Sequence, residues 1–314
     1  MTPTPLGRKP WLALLMSFVL PGYGQLYNGA LNKAIWLFLG FAFLTIPLGA
    51  LIAIYLPNRW LVLALALCTL ASFALWVYGM FDAWVGAKRS ASYSPQAWQV
   101  SGMYLAVSVL CSALVLPLLY TYVRGHWVEP YRIPSSSMAP GILMGDFLIA
   151  DKRYNCPGCK HAVKRGDIAI FVYPNDRTLN YIKRIVGLPG DKVQIKGRAL
   201  FVNGQPLTRS ERIVTNIYGL GVDGGPGSGI EVTEGIDGRE WQVFWANSDK
   251  SAQDSELTVP PGHVLVLGDQ RALSKDSRVF GTVPLQDVVG RARQLWFSYG
   301  LGGVRWERLG QALQ

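Results

Sequence analysis

The stretch Tyr131-Arg132-Ile133-Pro134-Ser135-Ser136-Ser137-Met138-Ala139-Pro140 marks the point where a strongly apolar half of the chain gives way to one of ordinary globular composition. Three hydroxyls stand between two prolines. Proline biases the residue before it away from helical backbone, so these serines belong on extended or turn backbone, which can present an Oγ to a partner. By itself such a triplet is most simply a polar loop. Its meaning depends on the sequence to either side.

The chain has 314 residues, 50% of them hydrophobic, and a mean hydropathy of +0.21. The apolar residues concentrate before about residue 122, and the remainder of the chain is long enough for one or two soluble domains. The formal net charge of +10 fits cationic flanks beside membrane segments and attraction to anionic lipid headgroups. No basic helix, zinc-finger spacing or RNA-binding signature accompanies it, which excludes nucleic acid as a partner. The Thr/Pro-rich start lacks a short apolar core with a small-residue cleavage site, so the apolar segments themselves are expected to carry the chain into the membrane.

The expected membrane domain is 1–122. Residues 10–30 are too short an apolar run to span, being broken by Pro21-Gly22-Tyr23-Gly24 and followed by Gln25-Leu26-Tyr27-Asn28-Gly29; an interfacial or re-entrant helix is expected there. Spans are expected at about 34–56, 60–84 and 99–121, the first kinked at Pro47 and Gly49. Trp36, Trp60, Tyr78, Trp84, Trp98 and Tyr122 fall near the proposed ends, as interfacial anchors do. Arg8, Lys9 and Lys33 before the first span, with Lys88 and Arg89 between the second and third, place the amino terminus and the 85–98 loop in the cytoplasm. The short 57–59 turn has only Arg59, and Arg124 and Arg132 oppose this only mildly. Three crossings then put everything after 122 outside.

The external half, 123–314, reads as short strands punctuated by glycine and proline with no long helical period, hence a mostly-β domain with a barrel-like core. A turn followed by a strand is expected over 141–151, and further strands around 165–171, 179–187, 241–245 and 263–267. Asn203-Gly204 signals a type I′ hairpin. A glycine-rich stretch over 219–240 reads as a flexible excursion or a long hairpin, within a β-rich excursion covering about 205–258.

A serine hydroxyl is a poor nucleophile until something removes its proton. The two external histidines, His161 in a basic polar loop and His263 at a strand start, read as surface or structural residues, and no Gly-x-Ser-x-Gly elbow surrounds Ser137. Lys183 interrupts an apolar strand between Tyr181-Ile182 and Ile185-Val186. On a buried face it would lose its proton near neutrality and serve as a base; on a wet face it is an ordinary strand lysine beside Arg184. The run Gly268-Asp269-Gln270-Arg271-Ala272-Leu273-Ser274-Lys275-Asp276-Ser277-Arg278 is a dense polar turn after a strand. Asp269, Asp276 and Arg278 can brace it, and Ser274 can orient a neutral amine. Locally it is also a plain, well-satisfied loop.

Taken together, in order and behind a membrane segment, these motifs resemble the bacterial type I signal peptidases (leader peptidases), membrane-bound endopeptidases with a Ser/Lys dyad. The likeness runs over roughly 128 to 300. It rests on Pro134 to Asp146, on Arg165-Gly166-Asp167 with Tyr181-Ile182-Lys183-Arg184 through Gly187-Leu188-Pro189-Gly190-Asp191, and on Gly268-Asp269 through Ser274, Asp276, Ser277 and Arg278. The resemblance implies apolar amino-terminal transmembrane helices followed by a β-rich serine peptidase domain. It also implies removal of signal peptides from exported precursors after small residues of the Ala-x-Ala kind. On these positions it implies Ser137 as nucleophile, Lys183 as general base, and the Ser137 N–H with the Ser135 hydroxyl as oxyanion hole. Ser274 would orient the base, and Asp276, Arg278 and Asp269 would give structural support. Shallow pockets would involve Ile133, Met138, Leu143, Tyr181 and Ile182. No cofactor or metal is implied. The partners would be signal-peptide-bearing precursors and the phospholipid bilayer, near the secretion translocon; together with the span and charge reading above, this makes the chain a multi-pass protein of the bacterial inner membrane with its catalytic domain on the periplasmic or extracytoplasmic side. Trp296 and Phe297 read equally as core or as part of an apolar patch resting on lipid.

The chain departs from the family's pattern in three places. The family commonly has one or two amino-terminal spans. It often has Asn-Arg-Asp-Asn where this chain has Gln270-Arg271-Ala272-Leu273, so one acidic brace is missing. Cys156-Pro157-Gly158-Cys159 is not a general family feature; outside the cytoplasm it is expected to form a short disulfide clip between Cys156 and Cys159, since two thiols make only half of a zinc site. A specialised processing peptidase with few clients and a catalytically silent membrane scaffold of the same fold are the competing readings.

Overall fold

The computed structural model describes residues 7–56, 58–90, 93–155, 162–221, 225–246 and 254–313. The expected Cys156–Cys159 clip and His161 lie outside the described residues. The chain divides into two compact units, one holding the chain up to Leu56 together with Trp60–His126, the other Trp127–Gln314.

The first unit is helical. Leu31–Tyr55, Trp60–Arg89 and Ser101–His126 are long and apolar enough to cross a membrane, at 25, 30 and 26 residues. The second and third run past the expected ends at 84 and 121. Pro47 does not end the first helix: it sits in a π turn, Leu44–Leu48, which absorbs the missing donor. Residues 10–30 fold as two short helices, Pro10–Val19 and Tyr23–Tyr27. Gln25, nearly fully buried, donates from Nε2 to the Gly79 carbonyl at 2.7 Å and to Asp82 Oδ2 at 3.1 Å. Asn28 Nδ2 donates to the Ala83 carbonyl at 2.7 Å. The polar residues of the Gly-rich motif are thus used to fasten this element to the Trp60–Arg89 helix.

The second unit is built of β1 (Val128–Arg132), β2 (Asp146–Asp151), β3 (Ile168–Val172), β4 (Asn180–Gly187), β5 (Lys192–Lys196), β6 (Ala199–Val202), β7 (Gln205–Pro206), β8 (Thr208–Tyr218), β9 (Pro226–Ile236), β10 (Arg239–Ala246), β11 (Ser255–Thr258), β12 (His263–Leu267), β13 (Val283–Pro284), β14 (Val288–Gly300) and β15 (Gly303–Val304). The main sheet has the order β1-β2-β14-β3-β4-β12-β13, with β15 on β14. Register shifts along β14 and between β12 and β4 bend these strands, and the sheet curls into the barrel-like core expected. β10-β9-β8 and β11-β5-β6-β7 form two smaller sheets. The glycine-rich stretch is therefore a long hairpin for much of its length. Asn203 and Gly204 both have positive φ, 52° and 78°, as a type I′ turn requires.

One core cluster lies under the serine stretch and contains Ile133, Met138, Ile142, Leu148, Ile168, Ile170 and Leu295. A second joins β4, β5, β6, β9, β10 and β12 through Val186, Val193, Leu200, Val232, Val243 and Leu267. β4 belongs to the walls of both.

Candidate active site

The segment carrying the serines is closed at its base. Ile133 N–H donates to the Asp146 carbonyl and Gly145 N–H to the Ile133 carbonyl, both at 2.9 Å. Asp146 Oδ2 accepts from Leu143 N–H at 2.8 Å and from Arg308 Nη2 at 2.6 Å. Met138 is fully buried, which anchors the residue next to Ser137. Side chains alternate along β4. Lys183 faces Ser137, and Arg184 faces the other way, into a bidentate pair with Asp269 at 2.8 and 2.7 Å.

Lys183 Nζ lies 2.8 Å from Ser137 Oγ, although 46 residues separate them. The lysine is 4% exposed. Burial lowers its pKa to about 8; the Asp276 and Asp269 carboxylates oppose this and Arg278 adds to it. A neutral amine at this distance can accept the serine proton. Ser135 Oγ is 3.3 Å from Ser137 Oγ, so the two hydroxyls converge on one small volume.

The 268–278 loop closes the other side. Asp276, 0% exposed, accepts from Arg278 Nε and Nη2 at 2.8 Å each and from Gly268 N–H at 2.9 Å. Burial would raise its pKa, but the Arg278 contacts and the Gly268 N–H outweigh that and hold it below the ordinary carboxylate value. Gln270 N–H donates to the carbonyl of Ser137 itself at 3.2 Å. Gly268 is tightly enclosed: a Cβ there would stand 2.0 Å from Ser274 Oγ and 2.6 Å from the Ser137 carbonyl oxygen. Ser274 Oγ is buried and contributes to holding the Asp276 carboxyl down; no Ser274–Lys183 hydrogen bond is formed among the described residues.

Of the residues expected to form pockets, Ile133 and Met138 are core members, while Leu143, Tyr181 and Ile182 are half-buried at the edges of the clusters. Tyr181 stacks on Tyr173 at 4.2 Å between ring centroids. Trp296 is partly exposed and sits edge-on to Phe147, which also contacts Phe297. Sequence reasoning missed two buried pairs, Arg184–Asp269 and Arg271–Glu234. Of these residues only Asp269 stands out in the sequence, and nothing in the spacing marks its partner or that of Arg271. No group of three or more His, Cys, Asp or Glu suited to a metal ion occurs among the described residues.

A serine and a buried lysine lie in contact on a curled β-domain, in a chain that also carries long apolar helices, an arrangement that suits a Ser/Lys hydrolase. The comparisons agree: the profile described as "Signal peptidase, peptidase S26" matches residues 105–297, and the chain belongs to that family. Signal peptidase I of Pseudomonas fluorescens is 34% identical over 207 residues, 58% of this chain and 70% of that protein. The Rickettsia typhi enzyme of the same name is 33% identical over 216 residues, 60% of this chain and 77% of its own. A crystal structure of a signal peptidase I from Enterococcus faecalis aligns over 41% of this chain and 96% of that one, at 26% identity and a TM-score of 0.28. This chain is a serine endopeptidase, and the Ser/Lys dyad is general to its family.

Proposed function

We propose that this chain is a membrane-bound endopeptidase that removes signal peptides from exported precursors after small residues of the Ala-x-Ala type. The observation that carries the reading is the 2.8 Å contact between Ser137 Oγ and a lysine that is almost wholly buried. Neutral Lys183 takes the Ser137 proton as Oγ attacks the scissile carbonyl. The Ser135 hydroxyl and the Ser137 N–H donate to the resulting oxyanion; one such donor is worth roughly 3 kcal/mol in serine proteases. The protonated Lys183 then gives its proton to the leaving amine, which departs and leaves an ester on Ser137. Lys183, neutral again, activates water to hydrolyse that ester. Ser274 orients the amine during the reaction, and Asp276, Arg278 and Asp269 hold the loop that carries it.

The half-buried Leu143, Tyr181 and Ile182 form walls over a floor of Ile133 and Met138, and shallow apolar pockets of this kind favour alanine-sized side chains. The three long apolar helices anchor the chain as a multi-pass protein of the bacterial inner membrane. Positive charge keeps the 85–98 loop inside and puts the 123–314 domain, with its 205–258 excursion, on the periplasmic side. The exposed Trp296, Tyr299, Leu301 and Trp306 suit a face resting on lipid, where a precursor cut near the translocon would be met. Full-length protein in detergent, given a precursor with alanine at the first and third positions before the cut, should release mature protein. Ser137→Ala and Lys183→Ala should each slow cleavage at least about 1,000-fold, about 4 kcal/mol. Wild-type rates in either variant would remove the dyad assignment.

A further inference from the structure

Arg271 and Glu234 are 3% and 0% exposed and meet in a two-point ion pair. Trp241 Nε1 donates to the same carboxylate at 3.1 Å, and the Trp241 ring faces the Arg184 guanidinium at 5.0 Å. With two of its nitrogens on Glu234, Arg271 donates through Nε to the Gly268 carbonyl at 3.2 Å. Its own carbonyl accepts from Arg278 Nη2 at 2.6 Å. The backbone between Gly268 and Arg271 is also held from β10: Phe244 N–H donates to the Asp269 carbonyl at 2.8 Å and Arg271 N–H to the Phe244 carbonyl at 2.9 Å. This short backbone run bears on the reacting groups directly. Gln270 N–H holds the Ser137 carbonyl, and Gly268 leaves no space between Ser274 and Ser137.

We propose that Glu234, on β9 of the separate three-stranded sheet, is a positioning residue for the Ser137–Lys183 dyad, acting through Arg271 on the backbone at 268–270. The proposal rests on the dyad reading given above. A buried ion pair is a poor source of net stability, because an apolar pair of similar volume avoids the desolvation cost. An apolar pair cannot hold the Gly268 carbonyl or fix the direction of a guanidinium. The carboxylate that pairs with Arg271 comes from β9 and not from the 268–278 loop itself. The excursion is in this way mechanically part of the site, although it contributes no reacting atom.

The test uses full-length protein in detergent, measuring kcat and KM for precursor cleavage beside the thermal unfolding midpoint. Glu234→Gln keeps the shape and removes the charge; kcat should fall about 100-fold, the scale of a small misplacement of reacting groups, with KM within about twofold. The double variant Glu234→Leu with Arg271→Met removes both charges, so the unfolding midpoint should return to that of the wild type while kcat stays about 100-fold down. Recovery of kcat together with the midpoint in the double variant would reduce the pair to a structural brace and overturn the proposal, as would an unchanged kcat in Glu234→Gln. Ser137→Ala run in parallel separates the two levels. If it cleaves normally, the dyad reading falls; if it is inactive while the double variant is fully active, only the positioning role falls.

Discussion

Lys183 shows how burial changes the proton affinity of one side chain. An unfolded lysine keeps its proton to about pH 10.4, whereas here burial lets it go at about 8. Between those values the unfolded chain binds more protons than the folded one, so stability rises with pH; below about 8 the fold bears the cost of a buried ammonium. Gly268 is a residue whose smallness the site requires. Gly268→Ala should reduce kcat at least about 100-fold, because the new methyl meets Ser274 Oγ at 2.0 Å and a backbone carbonyl at 2.6 Å; steady-state cleavage kinetics on the full-length variant measure this. The sequence offered Ser137 and Lys183 as candidates: a serine triplet near proline is most simply a polar loop and a lysine in an apolar strand can be wet or buried, so the roles expected of them came from the family resemblance and not from local pattern. Glu234 was not legible. Its meaning comes from Arg271, a residue distant in sequence, and a glutamate on a strand ordinarily faces water.

At the scale of the element, β4 does two jobs through strand alternation, with Lys183 on the side of Ser137 and Arg184 on the side of the core. Arg184 is held by Asp269 at both ends of its fork and by the Gly166 carbonyl at 2.7 Å. Arg184→Met would leave Asp269 as a buried anion without its partner, at a cost of about 3–5 kcal/mol. A lower midpoint in denaturant unfolding, at unchanged slope, is the expected outcome. The type I′ turn at Asn203-Gly204 and the strands β2, β3, β4 and β12 could be read from the sequence, since each is an apolar or β-branched run closed by turn residues. The glycine-rich stretch left a flexible excursion and a long hairpin open. Glycine there serves close approach: a Cβ on Gly229 would stand 2.0 Å from the Trp245 carbonyl oxygen.

For the whole molecule, composition separated an apolar half from a β-rich half because bilayer and water select different residues. It did not resolve how residues 10–30 fold, since the contacts of Gln25 and Asn28 join positions more than fifty residues apart. It also underestimated two helices, whose last turns are polar but continue the helix to Arg89 and His126. The proposed topology has a direct check. Reporter fusions at residue 90 and at residue 130 should give opposite readings, cytoplasmic at 90 and external at 130. The same compartment at both positions would contradict three crossings.

The central claim is that a desolvated, neutral Lys183 activates Ser137, and the pH dependence of kcat/KM for precursor cleavage tests it most directly. The base must be unprotonated to act, so activity should climb with pH through an inflection near 8, the value at which burial leaves Lys183. An inflection near 6.5, the ordinary histidine value, or a profile flat from about pH 6 to 10, would contradict it.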